Sequence, residues 1–234
     1  SFATTPVLIT SVSPDMRAKV AQNTLRNYGF FNGKVNYEVK PEKNPKKAKI
    51  AYAVQVGPLS LLDSIAYLSF SPTQDSLLHA THDKRLIRIG DAFSVVRLTN
   101  EQARISKLFR NAGYYFWQDN YTTFQADTLA RRQLVQLHVQ PLPVIDKRAL
   151  RPWKIGETHI TVRRYDSEIL EKTKSKRFFT FNYSGKHIPL RSSMWRQAVT
   201  HKHGELYSYD NQRTTLEKLN NIGVFRLLDV EYIP

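Results

Sequence analysis

"LFRNAGYYF", residues Leu108–Phe116, decides the fold, because the chain writes nearly the same phrase twice more. "TLRNYGFF" runs from Thr24 to Phe31 and "KLNNIGVF" from Lys218 to Phe225. Each copy has a leucine, an asparagine, a glycine two residues after it, and a phenylalanine within three residues of that glycine. Apolar residues at helical spacing lead into each: Met16, Val20 and Leu25; Ala103, Ile105, Leu108 and Phe109; Leu216, Leu219 and Ile222. Helix starts are expected at Ser13 with Pro14 in the first turn, at Thr99 with Gln102 as a capping box, and at Asp210. Gly29, Gly113 and Gly223 then stop the three helices, since glycine takes the left-handed conformation without a Cβ clash.

Strand patterns follow each glycine. "KVNYEV" alternates Val35, Tyr37 and Val39 with polar partners; "NYTTFQ" is β-rich; "RLLDVEYI" sets Leu228, Val230 and Tyr232 against Asp229 and Glu231. The first two are followed by a second strand each. "AKIAYAVQV" is expected to bury Ile50, Tyr52, Val54 and Val56, and "QLVQLHV" to bury Val135, Leu137 and Val139. "SLLDSIAYLSF" (Ser60–Phe70) and "GETHITVRRY" (Gly156–Tyr165) read as opening strands, with room for one more helix around Ser76–Ile89 and Ser193–His201. The fold class is therefore α+β: tandem small β-α-α-β-β domains, each a three-stranded mixed sheet packed on two helices. Gly29 and Gly113 are 84 residues apart, Gly113 and Gly223 110, so the spacing is not that of a solenoid. The expected domains are 1–57, 58–141 and 153–234, with a linker at 142–152. The first lacks an opening strand unless "PVLIT" (Pro6–Thr10) supplies it; the third carries an insertion and lacks its last strand.

With 35 Lys+Arg against 20 Asp+Glu, the formal charge is +15, which favours anionic partners. There are no cysteines, which excludes disulfides and thiolate metal sites. "HATH" (His79–His82) and "HKH" (His201–His203) have no carboxylate at ligand spacing, so no metal and no cofactor is expected. "YSGKH" (Tyr183–His187) lacks the earlier glycine of a phosphate loop, where Thr180 stands. Asp166 and Glu168 lie in a polar insertion, and no catalytic constellation emerges.

The β-α-α-β-β order and the "L-x-N-x-G-x-F" helix ending resemble POTRA domains, the periplasmic modules of outer-membrane barrel assembly proteins. "LIRIGDAFSVVRLTNEQARISKLFRNAGYYFW" (Leu86–Trp117) with "FQADT" (Phe124–Thr128) is similar to the translocation-and-assembly-module, surface-antigen branch of Bacteroides-like bacteria. "GDAFS" (Gly90–Ser94) matches the family's entry to the second helix, and "GELYSYDNQRTTLEKLNNIGVFRLLDVEY" (Gly204–Tyr232) repeats the pattern. The resemblance implies a non-enzymatic periplasmic chain held at the outer membrane by a C-terminal barrel. It implies unfolded outer-membrane proteins and other assembly-machinery proteins as partners.

In that family the strand after each glycine lies at a sheet edge, whose unpaired backbone groups accept a strand from another chain. The client-binding candidates are Lys34, Val35, Asn36, Tyr37, Glu38 and Val39, and Asn120, Tyr121, Thr122, Thr123, Phe124 and Gln125. Lys46, Lys47 and Lys49, and Lys172, Lys174, Lys176 and Arg177, form basic surface that could meet anionic lipid head groups or an acidic protein. Two other readings remain at this level: a basic array binding nucleic acid, disfavoured because no sheet places aromatics beside arginines, and a purely structural spacer.

Overall fold

The computed structural model describes residues 12–44, 47–131 and 133–233. "PVLIT" therefore lies outside the described residues, as does Lys46. The chain divides into two compact units, one of residues 1–103 and 122–141, the other of 104–121 and 142–234.

In the first unit, helix α1 (Pro14–Asn27) packs on strand β1 (Lys34–Pro41), which pairs antiparallel with β2 (Ala48–Gln55). The second sheet of this unit is built from β3 (Leu61–Tyr67), β4 (Thr122–Arg131) and β5 (Leu134–Pro141). Its order is β3-β5-β4, with β5 parallel to β3 and antiparallel to β4. Helices α2 (Pro72–Ala80) and α3 (Val95–Asn111) fall between β3 and β4 in the chain, so this segment has the expected β-α-α-β-β order. Val135, Leu137 and Val139 are fully buried on β5, as their alternation requires. Helix α2 opens with a complete capping box, Ser71 with Gln74. Glu101 of α3 is fully buried, and its carboxylate accepts the Tyr67 hydroxyl at 3.0 Å and the Leu86 amide at 2.9 Å.

The second unit has β6 (Thr158–Thr161), β7 (Lys172–Lys176) and β8 (Phe179–Tyr183), in the order β6-β8-β7, then α4 (Ser192–Ala198) and α5 (Tyr209–Asn221). Its core joins Ile160, Phe179, Phe181 and Tyr183 of the sheet to Trp195 and Leu219 of the helices. The polar insertion thus contributes a hairpin whose second strand is central. Its alternation, Phe179-x-Phe181-x-Tyr183, is the signal that reveals it.

Four expectations need correction. Helix α3 begins at Val95, where Ser94 Oγ accepts the Arg97 amide at 3.4 Å; the Thr99 hydroxyl instead donates back to the Val95 carbonyl at 3.0 Å. The cap of α5 is Ser208, not Asp210, because the Ser208 hydroxyl accepts the Asn211 amide at 3.3 Å. In the first hairpin only Val35 is buried, while Tyr37 is 39% exposed and Tyr52, Val54 and Val56 are 40–52% exposed. Among the described residues a single helix covers two strands, which is too little to bury the whole apolar face. Residues 224–233 form no strand, although they alternate: among the described residues no neighbour pairs with them.

Candidate functional sites: two matching joints and the sheet edges

All three repeated glycines adopt positive φ: 88° at Gly29, 101° at Gly113 and 74° at Gly223. Each stands two residues beyond the last residue of its helix, Asn27, Asn111 or Asn221, and two of the three do more. The Gly29 carbonyl accepts the amide of Ser60 at 2.9 Å, at the threshold of β3. The Gly113 carbonyl accepts the amide of Trp153 at 2.8 Å, ahead of β6. A Cβ built at Gly29 would meet the Phe93 carbonyl at 3.0 Å and that of Ser60 at 3.2 Å; at Gly113 it would meet Pro152 Cβ at 2.9 Å. At Gly223 nothing lies within 4 Å.

The entry segments "GDAF" and "GELY" complete each joint in the same way. In the first unit the Phe93 amide donates to the Ser60 carbonyl, the Gly90 amide to the Leu62 carbonyl, and the Leu62 amide to the Asp91 carbonyl, at 2.8–3.0 Å. In the second unit the Tyr207 amide donates to Trp153, Gly204 to Ile155, and Ile155 to Glu205, at 2.8–2.9 Å. The ring two residues after each glycine meets the ring of the entry segment: Phe31 with Phe93 at 5.0 Å, Tyr115 with Tyr207 at 4.8 Å. After the third glycine, Phe225 instead meets Trp195 at 5.7 Å. The phrase is therefore a helix stop and one half of a clasp.

At the second joint the repeated asparagine takes part. Asn111 Oδ1 accepts the Asp210 amide at 2.8 Å and the Ser208 hydroxyl at 3.1 Å, while Nδ2 donates to the Asp210 carboxylate at 2.8 Å. Lys107 Nζ lies 3.0 Å from the same carboxylate, and these donors, Lys107 first, hold its pKa below the usual carboxylate range. The Arg110 guanidinium lies over the Tyr209 ring at 4.2 Å. Sequence reading marked "GDAFS" and "GELY" as helix entries and missed that they also pair with the opening strand.

The predicted client strands fall as follows. Lys34, Val35, Asn36, Tyr37, Glu38 and Val39 lie in β1, which pairs with β2 alone among the described residues. Thr122, Thr123, Phe124 and Gln125 begin β4, the edge strand of its sheet; Asn120 and Tyr121 belong to the 3-10 turn before it. Thr122 is fully buried and its carbonyl accepts the Gln102 side chain. The accessible part of this edge therefore starts at Thr123. Phe124 sits opposite the buried Val139, and Gln125 opposite His138 on the other face.

The basic candidates are not one patch. Lys47 and Lys49 follow the β1–β2 turn, and Lys49 lies 3.2 Å from Glu42. Lys172, Lys174 and Lys176 alternate along β7, each opposite an aromatic residue of β8: Tyr183, Phe181 and Phe179. Lys172 donates to the Gly185 carbonyl at 2.6 Å and Lys176 to Ser192 Oγ at 2.9 Å, while Arg177 turns the hairpin with φ 56°. Charged side chains on the core-facing side of an edge strand are a known defence against unwanted pairing. Among the described residues no cluster of His, Cys, Asp and Glu could hold a metal ion, and no helix is long and apolar enough to cross a membrane.

No family model and no curated protein matches the sequence. Among solved structures, the chain is similar to POTRA domains 3–5 of BamA from Haemophilus influenzae, at 13% identity and a TM-score of 0.45, over 94% of this chain and 72% of that one. It is also similar to BamA from Haemophilus ducreyi lacking POTRA domains 1–3, at 14% identity and a TM-score of 0.37, over 60% of this chain and 24% of that one. POTRA domains 1–3 of the periplasmic domain of Omp85 from Anabaena match at 14% identity and a TM-score of 0.29, over 94% and 76%.

Proposed function

We propose that this chain is a periplasmic POTRA-type module of an outer-membrane barrel assembly protein. It holds extended segments of unfolded outer-membrane proteins by strand addition and docks other assembly-machinery proteins. The single observation that carries the reading is β4, which among the described residues is paired on one side only, with its edge accessible from Thr123 to Thr128. Backbone groups at such an edge attract any extended chain, and side chains only tune the choice, which suits clients of many sequences. β1 offers a second edge of the same kind. The barrel that would hold the module at the outer membrane, and anionic head groups that would meet Lys47 and Lys49, belong to this proposal.

The matching joints favour a second reading, a structural spacer that sets successive modules and binds no client. The test is an NMR titration with an extended peptide from an outer-membrane barrel strand. Amide shifts concentrated at Lys34–Val39 or Thr123–Asp127 support client binding. A folded protein with no shift at either edge under excess peptide leaves the spacer.

A further inference from the structure

The β7–β8 hairpin and helix α4 border a cavity of about 240 Å³, lined by Lys176, Arg177, Phe179, Phe181, Ser192 and Arg196. All the lining residues lie between Lys176 and Arg196, within the second unit. Lys176 stands opposite Phe179 in the antiparallel pair, and residues so paired share one face of the sheet. Phe181 follows Phe179 at strand spacing, and the two buried rings, 6.0 Å apart, make an apolar wall. Ser192 and Arg196, four residues apart, lie on one side of α4. Lys176 Nζ donates to Ser192 Oγ at 2.9 Å and so ties the hairpin to the helix.

The lining carries cations from both elements and no carboxylate. Elsewhere basic side chains find acidic partners close by, as Lys19 does in Asp15 and Arg213 in Glu217. Among the described residues Lys176, Arg177 and Arg196 pair with none. Like charges held around one hollow repel, and a bound anion offsets that cost. The donors are of the kinds that suit phosphate: the planar forks of Arg177 and Arg196, the point charge of Lys176, and the Ser192 hydroxyl. The Ser192 oxygen accepts from Lys176, which leaves its hydrogen for an acceptor in the cavity. The volume is below the roughly 300–1,000 Å³ of pockets that enclose drug-sized molecules, so the cavity takes a charged group rather than a whole metabolite. At the tip of the same hairpin, between Arg177 and Phe179, the Phe178 ring is 67% exposed. An exposed aromatic ring beside a basic cluster suits a bilayer interface, with the ring among acyl chains and the cations among head groups.

We propose that this cavity binds the terminal phosphate of an anionic membrane lipid. Arg177, Arg196, Lys176 and Ser192 contact the phosphate oxygens, and Phe178 enters the acyl region. A phosphate monoester carries about −1.5 to −2 charges at neutral pH, more than a diester, so the clustered cations select the monoester. The assignment deepens the reading above, because it gives the anionic head groups a chemistry and a place apart from Lys47 and Lys49. It rests on that reading only for the presence of a membrane nearby.

The test uses the full chain and phosphatidylcholine vesicles doped with phosphatidic acid, a monoester, or to equal surface charge with phosphatidylglycerol, a diester. Cosedimentation should favour phosphatidic acid, and amide shifts with a short-chain phosphatidic acid should gather at 176–181 and 192–196. R196Q and R177N should each weaken binding about fivefold, the effect of one basic residue at an anionic surface, and R196K should weaken it less. Asparagine is chosen at 177 because φ there is 56°. F178S should weaken vesicle binding and leave the shifts caused by soluble glycerophosphate unchanged. Equal binding of the two vesicle types, or binding to neither, overturns the proposal. Glycerophosphate bound as tightly as vesicles, with F178S equal to the parent, also overturns it and assigns the cavity to a soluble phosphate ester. Losses confined to K47Q and K49Q overturn it while leaving the reading above, whose peptide titration is independent, intact.

Discussion

The carbonyl of Gly113 holds the amide of Trp153 at 2.8 Å, and the carbonyl of Gly29 holds that of Ser60 at 2.9 Å, in two joints that agree bond for bond. The glycines are needed for conformation and for space, and the two demands separate experimentally. G223A meets open space and should cost only the left-handed penalty, about 1–2 kcal/mol. G29A and G113A add a Cβ against a backbone carbonyl or Pro152, and overpacking of that kind costs about 1–3 kcal/mol more. Urea denaturation of the three variants should rank G223A as the mildest; equal losses would show that the clasps add nothing.

Asn111 and Asp210 should behave as a coupled pair. N111A leaves the Asp210 amide and the Ser208 hydroxyl without their shared acceptor. A double-mutant cycle of N111A with D210A is expected to give a coupling of about 0.5–2 kcal/mol. The Lys107–Asp210 pair is half exposed, so K107A should lose less, about 1 kcal/mol or below, and the loss should fade as salt is raised.

Glu168 sets a pH dependence. The Arg164 backbone amide, then the Ser184 hydroxyl, bind its carboxylate, with Arg164 Nε at 2.6 Å, and its pKa is held down at about 2. A depressed carboxylate stabilises the fold fully above the ordinary carboxylate range, and that contribution is lost as pH falls from about 4.5 towards 2. E168Q should therefore be less stable than the parent at pH 7, with the gap closing near pH 2–3. A gap independent of pH would assign the effect to packing.

His201 works in the same direction from the other charge. Burial lowers its pKa, so the folded chain prefers the neutral ring that meets the Tyr232 hydroxyl. Stability drawn from it is present above the ordinary histidine range and declines as pH falls through that range. Tyrosine fluorescence or NMR shifts of Tyr232 should change with the His201 titration, and Y232F should remove that link.

The order of elements was legible because helices announce themselves through a period of 3.6 closed by glycine, and β5 through Val135, Leu137 and Val139. What escaped was set by distant partners. Tyr52 and Val54 alternate as a buried face does, yet burial needs a covering layer that α1 alone does not provide. Leu228, Val230 and Tyr232 have a strand's pattern, but among the described residues no strand pairs with them. β8 sits in a segment whose charges mask its alternation, and the motifs of Gly90 and Gly204 read as helix entries without showing that they also pair with the opening strand.

The most direct test of the proposed function uses one barrel-strand peptide in two forms, native and N-methylated at two consecutive residues. Strand addition at β1 or β4 predicts that the native form shifts amides within Lys34–Val39 or Thr123–Asp127 and that methylation abolishes the effect. Equal binding of both forms would contradict it, because the attraction would then come from side chains rather than from an open sheet edge.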